Sequence, residues 1–570
     1  MPKKNTENRI FLIIGIAILV ILTPFMILTM MDRKKSIWEY DGINEANESG
    51  TSGNEATEEL MDIPVEEGTV RITDDAPWGN LDIAKNSDDY FLALNVYDRL
   101  VEINEKTDGT SEIVPSLAKE WSVSPDGRTY SFTLRDDALF SDGTKLTAAD
   151  VEFSLTRLLT VTDSEQTSYA DMIKGADKVL SKESRTLEGI EVKDDQHLSI
   201  TLEEPFPSFL SMLGTPACSI LSRKSVREGG ARFGTDPQFI IGSGPYMISE
   251  MDEEKCVVTL NPHYWGEEPS VKKAVVYYMV SAVMDKEFRA GNLDIIDLNY
   301  INTDIRRSYI EDPVYEKSIV AKDNVEVYSF MMNVNMPPFD DVRVRKAVQL
   351  AIDRQRILDE VCDGYGETLD GIYPKGLMGY TEDNQGWLKY DPEEAKRLIK
   401  EAGVAEGEAV ELVLSAVADA GTQKLTEIVQ ENMRAVGLNA VIVIYDSDSR
   451  MYLRRNGRVM AYLFQWMADY NDPDNFLYTL FGGTEATKRY SSNFSDKTIL
   501  DRIEKARHIE DEAARMKEYG DLEKILIRDE ALWAPLYHSK HLYVKGDRVE
   551  SFDPYWAGWS DVPLKGIKLK

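Results

Sequence analysis

Residues able to do covalent or metal chemistry are few in this chain, and their spacing does not bring them together. Five histidines, His197, His263, His508, His538 and His541, show neither HxxxH nor HExxH spacing, so a helical zinc or two-metal centre has no ligand pair to start from. Cys218, Cys256 and Cys362 are odd in number and far apart. They support neither a disulfide framework nor a CxxC metal pair and read as small buried residues. No GxSxG elbow, P-loop or GxGxxG turn is present, which leaves no nucleophile–base or phosphate-cradling motif. Aspartate and glutamate together number 99, so carboxylate pairs arise by chance and identify no acid–base couple. The expectation is a binding protein rather than an enzyme, with no metal and no cofactor. Two places offer recognition chemistry instead. Asp469 lies in the string Trp466-Met467-Ala468-Asp469-Tyr470-Asn471-Asp472-Pro473, where by residue type alone it reads as a turn former. Arg454 stands next to Arg455, a pair that by type alone reads as solvated.

The elements that position such residues must belong to a large body. A chain of 570 residues exceeds what one core organises, so two or more lobes are expected. Hydrophobic residues at 43% and aromatics at 9% are ordinary for a globular protein and exclude wholesale disorder. A formal net charge of −34 repels polyanions and argues against nucleic acid as a partner.

Residues 10–31, IFLIIGIAILVILTPFMILTMM, carry no charge. As a helix the run reaches about 33 Å at ~1.5 Å per residue, enough for a hydrocarbon core of ~30 Å. Pro24 kinks such a span without forbidding it. Basic residues flank both ends, and the N-terminal amine tips the balance toward residues 1–9 in the cytoplasm. A cleaved signal peptide has a shorter apolar region and a small-residue cleavage site, and a lipoprotein needs a cysteine directly after the run. Neither is found, so an uncleaved single-pass anchor is expected, with the large C-terminal body outside the cytoplasm. Residues 32–68 follow as an acidic linker rich in Glu, Asn, Gly and Ser, which favours an extended leash.

From Thr69 onward strand-like and helix-like segments alternate irregularly. Residues 70–73 and 129–135 read as strands, the second after the turn Ser124-Pro125-Asp126-Gly127. Thr147 reads as the N-cap of a helix. Residues 342–361 and 392–403 read as amphipathic helices, and Asp340 and Asp341 as first-turn acids favourable to the helix dipole. Such a mixture implies an α/β body with more than one sheet.

Longer strings are more specific. IVPSLAKEWSVSPDGRTYSFTLRDDALFSDGTKLTAADVEFSLTRLL at 113–159 and GSGPYMISEMDEEKCVVTLNPHYWGEEPSVKK at 242–273 are followed by RAGNLDIIDL at 289–298. NVNMPPFDDVRVRKAVQLAIDRQRIL at 333–358, YDPEEAKRLIKEAG at 390–403 and WMADYNDPDNFLYTLF at 466–481 complete the series. In these six blocks the chain resembles the bacterial extracellular solute-binding proteins of family 5, which include oligopeptide- and dipeptide-binding proteins of ABC importers.

The resemblance implies a two-lobed periplasmic-binding-protein-like fold of type II with an extra inserted domain. Carried onto this chain, lobe I takes residues 69–95, 205–327 and 541–570, the insertion 96–204, and lobe II 328–540, with hinge crossovers near 327–332 and 538–544. It also implies a function: capture of peptides between the lobes and delivery to a permease pair driven by cytoplasmic ATPases, by a monomer. Related binders carry nickel chelates, oligosaccharides or opines, and a tethered sensor is a further alternative. In peptide-binding members the WxxD aspartate, here Asp469, pairs with the ligand's ammonium. Trp466 and Tyr470 are carried with it as ligand contacts. Arg454 falls where some members hold an arginine for the peptide carboxylate, and their second arginine falls at Leu463 and is absent. Asp88 and Asp89 fall where some relatives place an acidic residue toward the cleft.

Overall fold

The computed structural model describes residues 60–570 except 62, 75–78, 87–89, 107–110, 300, 406, 408 and 559–561. The expected anchor at 10–31, most of the linker, and Asp88 and Asp89 lie outside the described residues. Among the described residues no helix is long and apolar enough to cross a membrane. The end of the expected linker packs on the body: Ile63 joins a core cluster with Met284 and Phe288, and the Met61 amide donates to Glu287 at 3.0 Å.

Strand β1 (Thr69–Asp74) is first in the chain but interior to its sheet. After it the chain builds a separate unit. There β2 (Val101–Glu105) and β3 (Ser111–Pro115) pair as a hairpin. Strands β4 (Ala118–Val123), β5 (Thr129–Leu134), β6 (Ile190–Val192) and β7 (His197–Thr201) form a four-stranded sheet of order β4-β5-β7-β6. Alternate residues of β5 are buried, as its polar–apolar alternation requires. The turn ahead of it closes with the Gly127 amide donating to Ser124 at 2.9 Å, Gly127 supplying φ +66°. Helix Ala148–Thr160 begins at Thr147, whose amide donates to the Asp150 carboxylate at 3.0 Å. Its Val151, Leu155 and Leu158 pack with Tyr130, Phe132 and Ile200 in a core of their own.

The chain then returns through β8 (Tyr246–Met251), β9 (Lys255–Leu260) and β10 (Lys273–Tyr278), an antiparallel meander whose last strand lies parallel to β1. Strand β11 (Ile295–Asp297) flanks β1 on the other side, and β12 (Ile319–Asp323) ends this half. Two residues later, β13 (Glu326–Met332) belongs to a second sheet. There it joins β14 (Gly366–Thr368), β15 (Ala409–Ser415), β16 (Asn439–Tyr445) and β17 (Ala461–Met467), with β15, β16 and β17 mutually parallel. The last long strand, β18 (Trp533–Lys545), serves both sheets. Residues 533–539 pair with β13 and β14, and residues 540–545 with β12 and β11. The chain therefore passes between sheets at Asn324–Val325 and within β18 near Ser539–Lys540.

The helices cover both faces of the second sheet. Helices Val342–Ala351, Arg354–Val361 and Ala420–Ala435 share a core with Leu412 and Ala461. Helices Asp474–Phe481, Lys497–Ala506 and Glu512–Glu523 pack with Tyr462, Phe464 and Trp533 on the other face. The one helix expected over 342–361 is thus two. Asp353 breaks it by accepting the Arg356 amide at 3.1 Å, a cap that outweighs the apolar periodicity. Asp341 likewise accepts the Arg343 amide at 2.8 Å and caps its helix rather than lying in the first turn. The three cysteines are buried and joined in no disulfide among the described residues, and no cluster among the described residues is able to hold a metal ion.

Candidate ligand-binding site

Asp469 follows β17 directly, at the carboxyl ends of the parallel strands, where α/β sheets leave crevices for ligands. The strand end is tied to the passage between sheets, because the Ala468 amide donates to the Val325 carbonyl at 3.0 Å. The Asp469 side chain is open to solvent, yet burial pushes its carboxyl above the ordinary carboxylate range. A recessed opening reconciles the two: water reaches the group, but protein surrounds it. Its one side-chain partner is Asn475, whose Nδ2 donates to Oδ2 at 2.8 Å, and no basic side chain among the described residues pairs with it.

Asn475 also orients the aromatic wall. Its Oδ1 accepts from Trp466 Nε1 at 3.0 Å and from the Asp469 amide at 3.2 Å, so both ends of the amide are committed. Trp466 is half-buried, stacked on Phe464 at 6.2 Å and set edge-on to Tyr490 at 5.8 Å. Arg454, on the helix Ser447–Arg455, lies with its guanidinium 5.2 Å from the centre of the Tyr490 ring. Burial raises the Tyr490 hydroxyl's proton affinity, the Arg454 charge opposes this, and the Asp469 charge adds to it. One hydroxyl thus lies within reach of both charges. Tyr169, which packs in the core beneath the four-stranded sheet, approaches from the other side. Burial, then the negative charge of Asp469, holds its hydroxyl well above the usual value.

The residues after Asp469 join the two sides. Tyr470 packs in the core beneath the four-stranded sheet while its hydroxyl donates to Asp474 at 3.0 Å. The Asn471 amide donates to Ser111, and its carbonyl accepts from Ser211 at 3.1 Å. Buried ion pairs fix the loop from beneath: Arg515 grips Asp472 with two bonds of 2.9 and 2.7 Å, and Arg507 donates to Asp474 at 3.0 Å.

Trp466, Asp469 and Arg454 therefore share one connected wall. Tyr470 is placed differently, its ring and hydroxyl both spent on packing, and Asp88 and Asp89 lie outside the described residues. Leu463 packs on the sheet's opposite face, beside the cluster of Leu412 and Ala461. Asn475, Tyr490 and Tyr169 were not legible in the sequence. Asn475 sits in the first turn of the helix after the site, a position that invites inspection, but nothing local marks the two tyrosines.

Residues 112–488 match the family described as bacterial extracellular solute-binding proteins, family 5. The dipeptide-binding protein of Escherichia coli K12 is 29% identical over 466 residues, covering 78% of this chain and 84% of that protein. The periplasmic oligopeptide-binding protein OppA of Salmonella typhimurium is 28% identical over 470 residues, covering 80% and 83%. Among solved structures, NikA from Brucella suis in complex with Fe(III)-EDTA superposes with a TM-score of 0.76 at 24% identity, over 88% of this chain and all of that one, a likeness of fold.

Proposed function

This chain belongs to the bacterial extracellular solute-binding proteins of family 5, and from that premise we propose that it captures peptides in the recess at Asp469 and hands them to an ABC permease. Asp469 is the observation that carries the reading: an accessible carboxylate beside the passage between the two sheets, with no cation of its own among the described residues. A ligand ammonium supplies the missing charge. A charge-assisted hydrogen bond there contributes about 1.5–3 kcal/mol, and ligands lacking an amine forgo it. Trp466 offers a flat apolar face that accepts varied side chains without a precise hydrogen-bond match. Arg454 lies on the same wall for the ligand's acidic end, and Tyr470 and Asn471 hold the loop against the opposite side.

Lobe I comprises residues 69–95, 205–327 and 541–570, the insertion 96–204, and lobe II 328–540. Closure of the lobes around the peptide presents a shape the permease pair reads, so ligand shifts a population of conformers. Residues 10–31 anchor the protein in the membrane with residues 1–9 in the cytoplasm, and residues 32–59 form the leash that keeps a monomeric body beside its transporter outside the cell.

Calorimetry on the full chain with a pool of three- to five-residue peptides tests the reading. Asp469→Asn is expected to weaken free-amine peptides at least tenfold and to leave N-acetylated ones unchanged. Equal affinities of variant and wild type for free-amine peptides would remove Asp469 from the site. Mass spectrometry of co-purifying solute that returned sugars or a metal chelate instead of peptides would overturn the cargo.

A further inference from the structure

We infer that Arg450 is the second cation of the site and acts with Arg454 to hold the anionic end of the ligand. The inference rests on the peptide reading above and adds a residue to it. Arg450 and Arg454 stand four residues apart on the helix Ser447–Arg455, so both project from one face. Neither has a carboxylate within ion-pair distance among the described residues, although this chain carries a net charge of −34. Arg450 is half-buried, whereas the buried arginines are answered: Arg71 by Asp294, Arg99 by Glu102, Arg345 by Glu530, Arg354 by Asp370 and Arg515 by Asp472, as is the half-buried Arg507 by Asp474. Arg450 Nε is shielded from solvent and donates to nothing, an arrangement that costs stability until an acceptor arrives.

The surroundings have the matching sign. Arg450 lies 5.8 Å from the centre of the Tyr462 ring, and Arg454 lies 5.2 Å from that of Tyr490. The Tyr462 hydroxyl donates to the Tyr490 carbonyl at 2.9 Å, so the two rings form one surface that continues into Trp466. Arg455 and Arg489 act on the Tyr490 hydroxyl from nearby and also lack ion pairs among the described residues. Burial draws down the proton affinity of Arg450, the Tyr462 hydroxyl opposes this, and the neighbouring Arg454 charge adds to it. A carboxylate fits such a planar, forked pair of donors, and with Asp469 at the far side of Tyr490 the wall suits a ligand positive at one end and negative at the other.

The test measures two peptide pools of three to five residues against the full chain, one with free C-terminal acids and one amidated, both with free amines. The wild type is expected to bind the acid pool at least tenfold more tightly than the amide pool. Arg450→Gln is expected to lose most of that ratio through weaker acid binding alone, and Arg450→Lys to keep part of it. An unchanged ratio in Arg450→Gln, or an equal loss for both pools, overturns the inference. Should the wild type bind both pools alike, the peptide reading stands and this inference falls. Should it bind neither pool, the peptide reading fails and takes the inference with it.

Discussion

Arg515→Met is the sharpest probe of how the site is held. Arg515 and Asp472 are almost wholly shielded, at 4% and 2% side-chain exposure, and joined by two bonds of 2.9 and 2.7 Å. Arg515 Nη1 also donates to Ser208 at 3.2 Å. Methionine fills similar volume but leaves the Asp472 carboxylate buried with only the Asp474 amide at 3.0 Å to answer it. Breaking a buried pair in this way costs about 3–5 kcal/mol, far beyond the ~0–1 kcal/mol of an exposed pair. Urea denaturation followed by tryptophan fluorescence reads the loss, since Trp466 and Trp533 belong to the same sheet. Adding Asp472→Asn removes the orphaned charge, so the double variant is expected to recover at least half of the deficit, a coupling that a double-mutant cycle isolates. A single-variant cost under about 1 kcal/mol, or strictly additive effects, would refute the claim that this pair anchors the loop bearing Asp469.

Three further outcomes follow from other positions. Glu523 is buried and accepts from the Ile372 and Tyr373 amides and from Asn384. Burial nevertheless raises its carboxyl from 4.5 to about 7. The folded state therefore favours the protonated form, and the stability this group contributes is complete below about pH 4.5 and lost as pH rises through about 7. At ~1.36 kcal/mol per pKa unit the change is about 3.4 kcal/mol, and Glu523→Gln should flatten the wild-type dependence of melting temperature on pH across that window. Gly242→Ala places a methyl carbon 1.9 Å from the Val96 carbonyl oxygen, an overlap that requires the backbones to separate. It is expected to cost at least ~1–3 kcal/mol in chemical denaturation, the range of core overpacking. Because burial raises the Asp469 carboxyl, affinity for free-amine peptides should decline as pH falls, starting above the ordinary carboxylate range, and Asp469→Asn should abolish that decline in calorimetric titrations.

What the sequence disclosed was local. The Ser124–Gly127 turn, strand β5 and the Thr147 cap each depend on residues within a few positions of one another, so type and spacing suffice. The break at Asp353 was local too, but the apolar periodicity running through it masked the cap. Asp469 was different. By type it belonged to a turn, and only the resemblance of its whole neighbourhood singled it out. The turn chemistry falls instead to Asp472 and Asp474, whose partners Arg515 and Arg507 lie 43 and 33 residues away. Tyr169 and Tyr490 converge on Asp469 from distant stretches of chain, and no periodicity encodes such a meeting.

A thirteen-residue strand shared by both halves has a mechanical corollary. Its ladder runs on each side of Ser539–Lys540, so a change in the angle between the two sheets would fall on the backbone torsions there and at Asn324–Val325 rather than on the strand pairing. Any such change would also have to release Asn471 from Ser111 and Ser211 and Arg515 from Ser208.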